Sequence, residues 1–164
     1  MSLQTAKRLA ELKEEHDAID QDLSRKYEFF RSEIRGAIEL EFSGYLESQG
    51  FTVQSNPGNI SASYRGLVLV LQYCIDPVMG YFDNFEIVVN GKTYPVMVVA
   101  KIDGEKHSVP TSGTITVADM ENLIEAMKST RDNMRISKAS FILSPAATRL
   151  AATDIPELLD IILK

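Results

Sequence analysis

The sequence predicts an α+β protein: a long N-terminal amphipathic helix, partly of coiled-coil character, then an antiparallel β-meander of about five strands, then two C-terminal helices. Three observations carry this. Apolar side chains recur at steps of mostly three and four through residues 3–48, with no proline. After Gly50 the apolar period changes from about 3.6 to 2. Two dipeptides, Arg65-Gly66 and Asn90-Gly91, sit between alternating stretches where two-residue hairpin loops belong.

The helical stripe runs through Leu9, Leu12, Ile19, Leu23, Tyr27, Phe30, Ile34, Ala37, Ile38, Phe42 and Tyr45, with charges of both signs between them. Gly50 follows as a helix stop. Some 45 helical residues span roughly 68 Å at 1.5 Å each. That exceeds the width of a compact domain of this size, so part of the helix needs a partner or projects into solvent. From Leu9 to Leu23 the positions 9, 12, 16, 19 and 23 form a heptad seam, with His16 at a core-type position. The step from Leu23 to Tyr27 shifts the phase as a stutter does. Beyond it the stripe turns aromatic and bulky, which suits packing on a sheet. The expected division is therefore 1–48 as the long helix, its first half coiled-coil-like, and 51–164 as an α+β globular domain. Gly36 and Gly44 either allow close backbone approach or are tolerated at about 1 kcal/mol each.

The strands follow in order. Phe51–Gln54 is a short candidate ending in the turn-rich Ser55-Asn56-Pro57-Gly58-Asn59. A two-residue loop at Arg65-Gly66 pairs Tyr64 with Leu67, Ala62 with Leu69 and Ile60 with Leu71, all on one face. The stretch Leu67–Ile75, apolar on both faces for most of its length, reads as a central strand covered on both sides. Asn90-Gly91 suits a type I′ turn and pairs Val89 with Lys92, Ile87 with Tyr94 and Phe85 with Val96. Pro95 lacks a donor, which places its strand at an edge or a bulge. Thr116 and Asp119 resemble a capping box ahead of a helix over 117–133. A last strand is expected within Ile136–Leu143, around Phe141-Ile142-Leu143. Asp154-Ile155-Pro156 opens a terminal helix through Leu163.

Composition narrows the function. The net charge is −6, with 7 basic and 11 acidic residues in 1–48 and no basic stripe. Direct nucleic-acid binding, which needs clustered Lys and Arg, is disfavoured. One cysteine, Cys74, excludes an internal disulfide and fits a reducing compartment. No stretch has the apolar length of a membrane span, and the first residues lack a signal-peptide core. A cytoplasmic protein is expected.

No catalytic constellation, cofactor motif or metal-ligand spacing emerges. His16 and His107 have no ligating neighbour at helical spacing. His107 reads as a surface loop residue and Cys74 as a buried, inert thiol. Asp76, Asp83, Glu86, Asp103 and Glu105 surround the meander without the Glu-x-Lys of a hairpin nuclease site. Phosphate-loop and nucleophile-elbow motifs are absent. Met120, Met127 and Met134, spaced by seven, read as helix core.

The sequence thus points to a non-enzymatic interaction protein of adaptor or assembly type. It would form a homo-oligomer, a dimer, through Leu9, Leu12, His16, Ile19 and Leu23, and offer its sheet to a protein partner. Two alternatives stand beside it. One is an acidic inhibitor or regulator of a nucleic-acid enzyme. The other is a small-ligand binder or enzyme with a pocket between helix and sheet, rimmed by 77–83 and 106–112.

Overall fold

The computed structural model describes residues 1–74, 78–107, 113–143 and 150–164. A single helix α1, Leu3–Ser48, opens the chain. The strands β1 (Thr52–Asn56), β2 (Asn59–Tyr64), β3 (Leu67–Tyr73), β4 (Asp83–Val89), β5 (Lys92–Val99) and β6 (Ile102–Asp103) follow. Helix α2, Val117–Asn133, comes next, then β7 (Arg135–Ile136), β8 (Ser140–Leu143), β9 (Leu150–Ala152) and α3 (Ile155–Leu163). The architecture is α+β as predicted. The contacts fall into two compact units. A helical unit comprises Met1–Phe30 and Ile102–Ser137, and a sheet unit comprises Arg31–Lys101 and Lys138–Lys164. Helix α1 contributes to both.

The sheet unit holds one antiparallel sheet of seven strands in the order β1-β2-β3-β4-β5-β8-β9. Both expected hairpins form in the expected register, Tyr64 opposite Leu67 and Val89 opposite Lys92. Their turns explain why. Arg65 and Gly66 take φ of 46° and 87°, and Asn90 and Gly91 take 48° and 86°. Two successive positive values match the twist of the flanking strands, and asparagine and glycine tolerate them. Asn90 also accepts the Val68 N–H on its side-chain oxygen at 2.8 Å.

One face of this sheet is the core. Ile60, Ala62, Leu69, Leu71, Phe85, Ile87, Val96, Val98, Phe141 and Ala152 are buried on it. It is the face on which Arg35 of α1 meets Asp83 and Tyr73. Ile34, Ile38, Phe42 and Leu46 are the buried positions of that half of α1. Helix α3 buries Ile155, Leu158, Leu159 and Ile162. Its N-cap Asp154 accepts the Glu157 N–H at 2.8 Å, with Pro156 in the first turn.

Two expectations are corrected here. The strand β3 is central but not covered on both sides: Leu69 and Leu71 are fully buried, whereas Val68 on the other face is 39% exposed. Val70 is only half-buried and lies opposite Val88, so the valines of that face shield one another laterally. Pro95 does not mark an edge strand, because β5 lies between β4 and β8. The hairpin register directs Lys92, Tyr94 and Val96 toward β4, so the donor-less nitrogen of Pro95 points the other way. On that side the ladder with β8 begins at Val96, one residue past the proline.

The helical unit contains the first part of α1, all of α2, and the two-residue pair β6–β7. Thr116 and Asp119 form the full reciprocal capping box of α2. Gly104 has φ of 88°, and a Cβ there would lie 2.4 Å from the Asn133 carbonyl oxygen, so only glycine fits.

Candidate interaction surface

The heptad seam predicted in α1 finds its partner in the same chain. Helix α2 presents Val117, Met120, Ile124 and Met127, again at steps of three and four. Leu12, Ile19 and Ile124 form the buried centre, and Leu23, Val117, Met120 and Met127 pack around it partly buried.

The polar contacts give the direction of the pair. Arg8 donates to Glu121 at 2.9 Å, and Lys128 pairs with Glu15. Both partners advance by seven residues from the first bridge to the second, so the helices run parallel, with one bridge per heptad. Further along, Arg131 lies 3.6 Å from Asp22, and Lys26 donates to the Arg131 carbonyl. The Arg8–Glu121 side chains are 46% and 48% exposed, so this bridge sets register more than stability. Lys128 holds the Glu15 carboxyl below its ordinary value. Tyr27 donates to Glu105, and burial followed by that carboxylate pushes its hydroxyl up to about 12.

Of the five seam positions, Leu12 and Ile19 are buried at 1% and 4%. Leu23 packs against the cluster and Leu9 is half-buried. His16 is 32% exposed and bonds Asp17 at 3.1 Å. Leu9 also lines an open groove of about 450 Å³ with Met1, Thr5, Ile115, Val117 and Ala118. Met1, Leu3 and Ile115 are exposed at 92%, 86% and 54%. The helical unit therefore buries a narrow seam and leaves apolar surface beside it. The intramolecular partner was legible in principle: Arg8 and Glu15 meet opposite charges at the same spacing in Glu121 and Lys128.

Of the acidic residues around the meander, Asp83, Glu86 and Glu105 have separate partners. Asp83 is 2% exposed and accepts Arg35 Nε at 2.6 Å and Nη2 at 2.9 Å. The Arg35 guanidinium also stacks on Tyr73, 4.3 Å from the ring centroid. Burial, then the charges of Glu39 and Asp83, drives the Tyr73 hydroxyl far above its ordinary value of 10. Glu86 accepts from Gln72 at 2.8 Å. Asp76 and the rim positions 77 and 108–112 lie outside the described residues. Cys74 is half-buried rather than buried, and burial followed by Glu86 and Asp83 raises its thiol, which keeps it protonated. His107 is 80% exposed beside Glu105. Among the described residues no three His, Cys, Asp or Glu side chains are placed to hold a metal ion, and no helix is long and apolar enough to cross a membrane. Sequence reasoning missed the Arg35–Asp83–Tyr73 cluster. Its signal was Asp83 in the same strand phase as Phe85 and Ile87, a charge on a buried face that needs a counter-charge.

Comparison with protein-family models, with curated proteins and with solved structures gives no match.

Proposed function

We propose that this is a non-enzymatic interaction protein, of adaptor or assembly type, that self-associates through its helical unit. The carrying observation is the incomplete burial of a parallel helix pair. Only three seam residues are fully inside, while Leu23, Val117, Met120 and Met127 are partly buried and Leu9 and Ile115 line an open groove with Val117. Two such pairs from two copies, joined as a four-helix bundle, would remove that surface from water. At about 25 cal/mol per Å² of apolar area, covering several half-exposed aliphatic side chains is a substantial driving force. The proposed dimer is thus a second layer around an intramolecular seam, and Leu9, Leu12, His16, Ile19 and Leu23 serve it by building the pair that docks. A reducing, cytoplasmic setting suits a chain whose one thiol is kept protonated.

Light scattering on the double variant Leu9→Lys/Ile115→Lys tests this. The wild type is expected at a higher mass than the variant, which loses the helical contact, with unchanged helix content by circular dichroism. A variant that keeps the wild-type mass, or a monomeric wild type, refutes the reading.

A further inference from the structure

The two edges of the seven-stranded sheet are treated differently. At one edge β9 has only three residues, and α3 begins three residues later and packs against it. At the other edge β1 has five residues, Thr-Val-Gln-Ser-Asn, nearly all exposed. It carries no charge, no proline and no bulge in its register with β2. These are the devices by which proteins usually block edge pairing.

The hydrogen-bond phase of β1 follows from its loop. Asn56 and Asn59 flank the two-residue loop Pro57-Gly58, so they are a hydrogen-bonded pair, as are Gln54 with Ser61 and Thr52 with Ser63. Alternation then turns the N–H and C=O groups of Val53 and Ser55 outward. Those four groups are symmetric about Gln54. An antiparallel copy of β1 places Val53 opposite Ser55 of its counterpart, and the reverse, giving four ladder bonds around a two-fold axis through Gln54.

We infer that β1 pairs antiparallel with β1 of a second copy about Gln54, joining two seven-stranded sheets into one. The donors and acceptors make this edge its own antiparallel complement, so a second copy fits it about a two-fold axis, and the neutral side chains place no like charges across that axis. This interface is separate from the helical unit and does not rest on the reading given for it.

Cysteine cross-linking tests it in the full chain with Cys74→Ser. At the axis the two residues at position 54 form a non-hydrogen-bonded pair with Cα atoms about 4.5 Å apart, within disulfide range. Gln54→Cys is expected to give a covalent dimer on mild oxidation. Asn56→Cys, whose counterpart lies four residues off register, is expected to stay monomeric on a non-reducing gel. Equal cross-linking at both positions, or none at 54, overturns the inference. Charge exchange gives a second measurement. Gln54→Lys and Gln54→Glu each lose the edge contact, and their mixture regains it as a heterodimer; a mixture that stays apart also overturns it. Repeating both in the Leu9→Lys/Ile115→Lys background separates the two surfaces, because edge cross-linking persists there whatever the helices do.

Discussion

The two halves of α1 are one continuous helix but bury themselves in two ways. From Leu12 to Leu23 the apolar positions turn by only about 20° around the axis, a straight seam that suits another helix. From Phe30 to Leu46 the buried residues fall at steps of four, at 30, 34, 38, 42 and 46. That stripe winds by about 160°. A winding, bulky stripe spreads its contacts over a wide surface, and a sheet offers one. The difference shows that the phase of the apolar repeat, more than its hydrophobicity, selects the kind of partner. It also grades the two environments: the sheet unit has many fully buried side chains, and the helical unit has few.

The comparison can be broken at several points. The largest effect is expected in the sheet unit. Arg35→Met leaves Asp83 charged and buried, which should cost about 3 kcal/mol in urea unfolding, and Arg35→Met with Asp83→Leu should recover most of it. If the single variant is neutral, Asp83 is not held by Arg35. In the helical unit Gly104→Ala combines a φ of 88° with a clash on the Asn133 carbonyl. A loss of about 2 kcal/mol is expected, seen first as faster amide exchange in α2 than in the sheet.

Titration probes the helical unit in particular. Glu15 and Asp119 are held below 4.5 and 3.8 by Lys128 and by Thr116. In that range the unfolded chain binds more protons than the folded one. Stability therefore rises with pH, is fully present above those values, and is lost as pH falls through the lowered ones. Lys128→Met should flatten the acid limb measured by thermal unfolding. At the other extreme, Tyr27 is raised to about 12, so the folded state keeps its proton longer. Its contribution is present below pH 10 and is lost as pH rises from 10 toward 12; Tyr27→Phe should remove this part of the alkaline limb and leave the part due to Tyr73.

The smallest effect is stabilising. A Cβ at Gly44 would meet nothing within 4 Å. Close backbone approach therefore does not explain this glycine, and Gly44→Ala should add up to about 1 kcal/mol in the same urea assay.

Much of the fold was legible because local chemistry agreed with long-range pairing. Arg65-Gly66 and Asn90-Gly91 set their hairpins in register, and Thr116 and Asp154 marked two helix starts. The strands β6, β7 and β9 were not legible, since two or three residues carry no period. Pro95 misled because its missing donor faces the end of one ladder, a fact set by strand order. The seam of α1 was readable as a seam, but its occupant was not. A heptad states what geometry it accepts, and α2 lies far along the chain. The Arg35–Asp83 pair was hidden because Arg35 sits among other charges on the flank of the stripe.

The parallel pairing of α1 and α2 has a kinetic consequence. Two of its bridges, Arg8–Glu121 and Glu15–Lys128, each join residues 113 positions apart. Strands β1 to β6 are synthesised between the two helices. The first half of α1 must therefore wait with its leucines uncovered until the chain has grown through α2. The entropic cost of closing so long a loop grows only slowly with length, yet the separation makes this pairing a non-local, late event. During that interval the nascent arm is the part of the molecule most open to chaperones and to neighbouring copies on the same message.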